Sequence, residues 1–244
     1  SVAGASGVVS AKGIADATST NATEPIAIVG AGCIFPGART LEAFWELLAS
    51  GRDPKCDAPT DRWDAPPDYD LATRRPWPIS TRRGGFITDF QFDWRRHKLP
   101  PKQVAQADPL QLMILDATDA ALADAGYDKK PYDKTRVGVV VGTIFGSDFC
   151  EQLQMGFRLP DFCAVLGKVL RERGVAEAEI AALAEAYSDK LLEHMPALLD
   201  ETGGFTPSAL ASRITKTYDL MGGAATVDSG SASSLAALSS AIDT

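Results

Sequence analysis

The sequence predicts an α/β fold in which helices cover both faces of a largely parallel sheet. The run RVGVVVGT at 136–143 is continuous and rich in β-branched residues, as expected of a strand buried on both faces. A second apolar run, AATV at 224–227, leads into a helical pattern. The stretch at 147–217 has helical periodicity, and strands separated by helices are typical of layered α/β proteins.

Length, composition and charge bound the possible functions. The 244 residues suffice for one large domain, and 45% of them are apolar, as in ordinary globular proteins. The formal net charge of −8 argues against sequence-independent nucleic-acid binding, which depends on clustered Lys and Arg. No stretch approaches the ~20 continuous apolar residues that a membrane span needs.

The cysteines form no metal or disulfide pattern. No two of them have C-x-x-C spacing, so we expect neither a zinc site nor a disulfide framework, and we expect a cytoplasmic protein. They are Cys33, Cys56, Cys150 and Cys163.

The amino-terminal part predicts a linker followed by a strand. Segment 1–24 is rich in small residues without periodicity, so we expect a flexible linker or leader. An apolar strand is predicted at 26–29. The glycines after it imitate a dinucleotide fingerprint, but Phe35 takes the third glycine position and Pro36 blocks the required helix.

The first clear helix is predicted at 40–49. Thr40 supplies the N-cap oxygen, and Glu42 places negative charge in the first turn. The proline-rich segment 51–100 is predicted to be mostly loop. We expect a solvated face at its basic run, which comprises Arg95, Arg96, His97 and Lys98.

Helices dominate the rest of the chain. One is predicted at 104–125, ended by a glycine. Its buried side is expected to comprise Leu112, Leu115, Ala117 and Leu122. Helical patterns separated by Gly174 fill much of 150–205, and Pro207 opens a further helix that ends near Tyr218.

Seven regions, in chain order, resemble motifs of the β-ketoacyl synthases of polyketide and polyunsaturated-fatty-acid megasynthases. They are PIAIVGAGCIFPGA, FWELLASGRD, PTDRWD, GGFITDFQFDW, QADPLQLMILDATDAALADAG with VGVVVG, ALASRITKTYDLMGG and VDSGSASSLAAL. The resemblance covers about 24–244 and implies the thiolase fold, a layered α-β-α-β-α arrangement of two related halves. The chain corresponds to the N-terminal half only, with 150–205 as a helical insertion.

The resemblance also implies a reaction and its partners. These enzymes join acyl and malonyl groups, carried on the 4'-phosphopantetheine arm of acyl carrier protein, by decarboxylative Claisen condensation. We therefore expect an acyl carrier protein, a second ketosynthase or ketosynthase-like subunit and the C-terminal half of the same domain as partners. No directly bound cofactor and no metal are expected.

The resemblance aligns the nucleophilic cysteine of the family with Ser231. The small residues at 229–234 suit a tight corner between strand and helix, which would aim one side chain and the backbone N–H groups of an oxyanion hole at an ester. A serine hydroxyl is a weak nucleophile that needs an adjacent base. The histidines of the family belong to the other half, and we expect His97 and His194 to be surface residues.

Three explanations of Ser231 remain open. The serine could be an introduced replacement of cysteine, a natural feature of a synthase that decarboxylates malonyl groups without condensing them, or a mark of a non-catalytic partner similar to chain-length factors. A serine hydrolase is disfavoured, because Ser229 and Ser233 stand where the elbow G-x-S-x-G needs glycine.

Further side chains have two interpretations each. Asp228 is expected to cap the closing helix rather than to fix the corner. Arg213 is expected to pair with a local carboxylate rather than to contact a partner subunit. Two interpretations, an acyl-binding tunnel and a plain hydrophobic core, apply to a further set of apolar residues, and the core is favoured. These residues are Phe145, Phe149, Met155 and Phe157.

Overall fold

The computed structural model describes residues 25–62, 81–144, 148–195 and 206–244. The helices are α1 Leu41–Ser50, α2 Pro101–Gln106, α3 Pro109–Asp124, α4 Asp148–Glu172, α5 Glu177–His194, α6 Ser208–Tyr218 and α7 Ser233–Ile242. The strands are β1 Cys56–Asp57, β2 Arg83–Gly84, β3 Val139–Gly142 and β4 Ala224–Val227. The linker predicted at 1–24 lies outside the described residues.

Strands β3 and β4 form a parallel pair, as the sequence predicts. Val139 pairs with Ala224, and Gly142 pairs with Val227. The buried core beside this pair comprises Leu115, Val141, Leu210, Ala211 and Ile214. Helix α6 thus joins α3 to the strand pair, while α7 packs against β3 and β4. Strands β1 and β2 form a separate two-residue antiparallel ladder.

Helix α1 lies where the sequence predicts it. The Thr40 hydroxyl accepts a hydrogen bond of 3.2 Å from the N–H of Ala43, which satisfies one of the open donors of the first turn. Gly51 ends the helix with a φ of 64°, a conformation that favours glycine.

The predicted strand at 26–29 is wrong for the described residues. This segment forms no ladder, and the Ile28 side chain is 84% exposed. A strand needs a hydrogen-bonding neighbour, whereas the backbone just after this segment, at Gly30 and Gly32, packs on helix α3. A Cβ at Gly32 would lie 2.3 Å from the carbonyl oxygen of Ala117, so glycine permits the approach. The glycines of GAG therefore serve packing.

The helix predicted at 104–125 is two helices, α2 and α3. The break falls at Asp108 and Pro109, because the residue before a proline is driven out of the helical conformation. The Asp108 carboxylate accepts the N–H of Leu110 at 2.8 Å and caps α3. Leu112 and Leu115 are buried as predicted, and the expected Ala117 and Leu122 are half-buried.

Helices α4 and α5 pack against each other as a hairpin. Gly174 separates them with a φ of 80°, as predicted. The Arg171 guanidinium donates to the Glu177 carboxylate at 2.5 and 3.0 Å across the turn, and this pairing lowers the pKa of Glu177. The hairpin occupies most of the predicted insertion, and its status as an insertion stays a prediction. Helix α6 follows Pro207 and ends at Tyr218, also as predicted.

No α-helix in the described ranges combines the length and the apolar character that crossing a membrane requires.

Candidate active site at the corner between β4 and α7

A five-residue corner connects β4 to α7. Strand β4 ends at Val227, whose carbonyl oxygen accepts the N–H of Thr143 at 3.0 Å. The chain then reverses at Gly230, whose φ of 57° is left-handed and favours glycine. Ser231 follows this glycine immediately and is exposed. The predicted strand-to-helix corner is therefore present, with residue 231 at its turn.

Asp228 fixes this corner. Its Oδ1 accepts a hydrogen bond of 3.0 Å from the N–H of Gly230, two residues later. The N-cap residue of α7 is Ala232, which has no side-chain oxygen. The expectation that Asp228 caps the helix is therefore wrong, because the helix begins too far along the chain for its carboxylate to act as the cap.

Ser233 holds the corner from the helix side. This side chain is buried, and its Oγ accepts the N–H of Ser229 at 2.9 Å. The same hydroxyl donates to the carbonyl oxygen of Gly230 at 2.7 Å. The backbone N–H of Ser233 also donates to that carbonyl oxygen, at 3.1 Å. The sequence did not predict this role, because the run of small residues at 229–234 does not show which serine is buried.

A close backbone contact sets the position of the first turn of α7. A Cβ at Gly142 would lie 2.4 Å from the carbonyl oxygen of Ser233 and 3.0 Å from the nitrogen of Ser234. The absence of a side chain at Gly142 therefore lets the helix start directly against the end of β3. The carboxyl end of β3 and the amino end of α7 meet at the corner that carries Ser231.

The chemistry available at Ser231 is that of an exposed hydroxyl beside a helix amino terminus. The first turn of α7 has no side-chain cap, and a helix amino terminus carries partial positive charge. Such an end stabilises an anion by ~0.3–1 kcal/mol. Among the described residues, no side chain hydrogen-bonds to Ser231 Oγ, so none of them is positioned as its general base.

The proposed acyl-binding residues are not brought to this corner by the described structure. Met155 and Phe157 lie exposed on α4, the latter 75% accessible. Phe145 and the side chain of Phe149 lie outside the described part. Their role in substrate binding stays a prediction.

The expectation of a solvated basic run is wrong at His97. This side chain is only 3% exposed, and its Nε2 lies 3.3 Å from both Asp116 Oδ1 and Asp119 Oδ2. The ring stacks on Phe92 at a centroid distance of 5.1 Å. The acidic residues on α3 and the aromatic ring offset the cost of burying the imidazole, which the basic run alone does not reveal.

Tyr218 and Arg96 complete the cluster around the buried His97. The Tyr218 hydroxyl lies 2.5 Å from Asp119 Oδ1, and burial together with this hydrogen bond raises the Tyr218 pKa well above its ordinary value. The Arg96 Nε lies 2.7 Å from Asp119 Oδ2. His97, Asp116 and Asp119 could ligate a metal by residue type, but Arg96 already supplies positive charge to Asp119. We therefore assign the cluster to the stability of the α3–α6 contact.

Arg213 forms a hydrogen bond that links two helices, and its expected pairing with a carboxylate stays a prediction. Its Nε donates to the side-chain oxygen of Gln111 at 2.7 Å. Gln111 is almost fully buried, so this bond ties α6 to α3 inside the core.

A family model described as "Beta-ketoacyl synthase, N-terminal domain" matches residues 23–244. A polyunsaturated fatty acid synthase protein from Thraustochytrium sp. is 33% identical over 218 residues, which are 89% of this chain and 8% of that protein. A phenolphthiocerol/phthiocerol polyketide synthase protein from Mycobacterium tuberculosis is 39% identical over 125 residues, which are 50% of this chain and 7% of that protein. The chain spans less than a tenth of these relatives.

Solved structures support the same fold. The ketosynthase from module 6 of the bacillaene synthase of Bacillus subtilis 168 superposes with a TM-score of 0.56 at 21% identity, covering 89% of this chain and 28% of that one. An oxazolomycin ketosynthase domain from Streptomyces albus JA3453 gives 0.57 at 24% identity, covering 88% and 31%. The predicted thiolase-like α/β fold is confirmed.

Proposed function

Because the chain belongs to the β-ketoacyl synthase family, we propose that it forms the N-terminal half of a ketosynthase domain in a polyketide or fatty-acid megasynthase. In such a domain an acyl group moves from the phosphopantetheine thiol of acyl carrier protein to an active-site nucleophile. A malonyl thioester then loses CO2, its carbanion attacks the acyl carbonyl carbon, and the bond to the nucleophile breaks. The new β-ketoacyl chain stays on the carrier protein.

The observation that carries this proposal is the position of residue 231. It is exposed, it follows a left-handed glycine, and it lies just before the first turn of α7. This arrangement presents a side chain to a thioester and keeps the uncapped helix amino terminus close to the developing charge on the carbonyl oxygen.

The serine at this position limits the chemistry. A hydroxyl near its ordinary pKa does not attack a thioester without a base, and the described residues place no base at Ser231. Malonyl decarboxylation needs stabilisation of the resulting enolate and does not need a covalent acyl group. We therefore propose a domain that binds acyl and malonyl groups but does not condense them. Either the natural domain only decarboxylates malonyl groups, or a replacement of cysteine by serine has removed its condensing activity.

The exposed apolar face of α7 suggests a partner that covers it. Leu235, Leu238 and Ile242 share one face of α7, and each remains exposed in the described structure, from 45% to 73%. We propose that the C-terminal half of the domain covers this face. A second ketosynthase or ketosynthase-like subunit and an acyl carrier protein complete the proposed assembly, in the cytoplasm, with no cofactor other than the carrier's 4'-phosphopantetheine.

One experiment restores the thiol. Ser231→Cys in the full-length gene product is incubated with an activated acyl thioester, and the peptide containing residue 231 is weighed by mass spectrometry. The expected result is one acyl mass gained in the variant and none in the unmodified protein. Ser234→Cys, exposed in the first turn of the same helix, is the matched control. Equal acylation of both thiols would show that exposure alone explains the reaction.

The second candidate is a non-catalytic subunit similar to chain-length factors. The specific observation in its favour is Ser231 itself, because a protein that only shapes an acyl tunnel needs no nucleophile. Incubation of the unmodified full-length protein with malonyl-carrier protein separates the two. Release of CO2 with formation of acetyl-carrier protein supports the decarboxylating domain, and absence of CO2 release favours the tunnel-shaping role.

A further inference from the structure

We propose that Ser233 is a positioning residue whose buried hydroxyl fixes the corner, so that the side chain of residue 231 points at the substrate. This inference rests on the proposed function, since it assigns a role within the same site. Ser233 does not contact the substrate in this proposal and acts through residue 231.

Burial and hydrogen bonding distinguish the Ser233 hydroxyl from those of the neighbouring serines. Ser233 is 4% exposed, whereas Ser229, Ser231 and Ser234 are exposed. Its Oγ bonds to both residues that precede 231, accepting from Ser229 at 2.9 Å and donating to Gly230 at 2.7 Å. A serine hydroxyl has one donor and two acceptor sites, so its donor is fully used in holding this turn.

The bonds matter because of the glycine between them. Gly230 has a φ of 57°, and glycine moves between positive and negative φ at little cost. A rotation about its backbone would swing the next residue, 231, away from its present direction. The two bonds from Ser233 bracket Gly230 on both sides and oppose this rotation.

Loss of the hydroxyl should loosen the corner without unfolding it. The Gly230 carbonyl still accepts the backbone N–H of Ser233 at 3.1 Å, and the Asp228 carboxylate still accepts the N–H of Gly230 at 3.0 Å. The N–H of Ala232 also still donates to the Ser229 carbonyl oxygen at 3.2 Å. These three bonds keep the turn closed, but none of them holds the N–H of Ser229. The proposal thus predicts a change in the direction of residue 231 rather than a loss of the fold.

The test uses the full-length protein carrying Ser231→Cys, in which the introduced thiol reports its own surroundings. Iodoacetamide alkylation at residue 231 is measured against pH by mass spectrometry of the peptide, without any acyl substrate. A thiolate beside a helix amino terminus forms at lower pH than a free one. With Ser233→Ala added, we expect the pH midpoint of alkylation to rise by about 0.5 unit and the rate at pH 7 to fall about threefold.

Two variants make the result specific. Ser233→Thr keeps a hydroxyl and is expected to keep the midpoint, and Ser234→Ala changes an exposed neighbour and is expected to leave it unchanged. The proposal is overturned if Ser233→Ala leaves both midpoint and rate unaltered. It is equally overturned if Ser233→Thr shifts the midpoint as far as Ser233→Ala does. Circular dichroism of each variant identifies any loss of fold. If Ser233→Ala does not fold, the alkylation midpoint of Ser233→Thr alone tests the proposal, and a raised midpoint there overturns it.

Failure of the proposed function would look different. If alkylation depends on Ser233 while acyl thioesters acylate none of the thiols, then the positioning role stands and the acyl-carrying role of residue 231 fails. If acylation of the introduced thiol proceeds equally with and without the Ser233 hydroxyl, then the acyl-carrying role stands and the positioning role fails.

Discussion

Gly142 and Ser233 are in backbone contact, since a Cβ on Gly142 would lie 2.4 Å from the Ser233 carbonyl oxygen and 2.7 Å from its carbonyl carbon. Carbonyl atoms of a helix cannot give way as the tip of a flexible side chain can. The contact therefore fixes how closely α7 approaches β3, and with it the location of the corner that carries Ser231.

Gly142→Ala is expected to destabilise the protein by about 1–3 kcal/mol, the usual cost of overpacking, and to displace the first turn of α7. Urea unfolding followed by circular dichroism measures the change in free energy. Gly167→Ala in α4 is the control, because a Cβ there would meet Ile180 Cγ2 of α5 at an ordinary 3.4 Å. Alanine at 167 should stabilise the helix by up to ~1 kcal/mol. Equal effects at both positions would contradict the backbone contact.

Tyr218→Phe should destabilise the protein by about 1–3 kcal/mol near neutral pH, because Asp119 loses a buried hydrogen-bond donor. Unfolding in urea at pH 7 measures the loss. Tyr187→Phe on α5 is the control, since this ring is 40% exposed, and should change stability by less than ~0.5 kcal/mol.

The raised pKa of Tyr218 also predicts that its contribution to stability depends on pH. The folded state raises the Tyr218 pKa above its ordinary value of 10.0, so its neutral form is favoured in the fold. The stability that this group contributes is complete below pH 10 and declines as the pH rises above it, because the unfolded chain then loses the proton more readily. The stability gap between the unmodified protein and Tyr218→Phe should narrow above pH 10. A gap that widens there would contradict the assignment.

His97→Ala should destabilise the protein by about 1–3 kcal/mol, since it removes a buried ring that packs on Phe92 and contacts the partly exposed carboxylates of Asp116 and Asp119. Thermal unfolding monitored by circular dichroism would show the loss. Lys98→Ala changes the next residue, which is exposed, and should stay within about 0.5 kcal/mol of the unmodified protein. Similar losses from both substitutions would argue that the segment as a whole, rather than the buried imidazole, sustains the fold.

Elements stabilised by near neighbours were predictable from the sequence. Thr40 and Gly51 lie within one turn of the ends of α1, so the residues that start and stop this helix are visible in its own segment. Strand β4 and the corner after it were equally predictable, because an apolar run and a cluster of small residues each specify a local conformation.

Features that depend on distant residues were not predictable. The segment 26–29 has the composition of a strand, but a strand also needs a pairing partner, which composition cannot identify. In the structure the segment is unpaired, and the glycines just after it pack on α3. The basic run around His97 predicts a solvated surface. The structure instead places His97 against Asp116 and Asp119 of α3, which are distant in sequence. At the site, Asp228 had the right type for two hydrogen-bonding roles, and only the observed start of α7 at Ser233 decides between them.

The parallel pairing of β3 with β4 has a consequence for synthesis on the ribosome. About 80 residues separate Gly142 from Ala224, so β3 emerges well before the strand that pairs with it. At ordinary rates of translation this interval lasts roughly 4–16 s. During that time the valines of β3 lack their hydrogen-bonded neighbour, while the α4–α5 hairpin, built from contacts close in sequence, can already form. The nascent chain therefore passes through a stage at which chaperone binding to β3 would compete with aggregation.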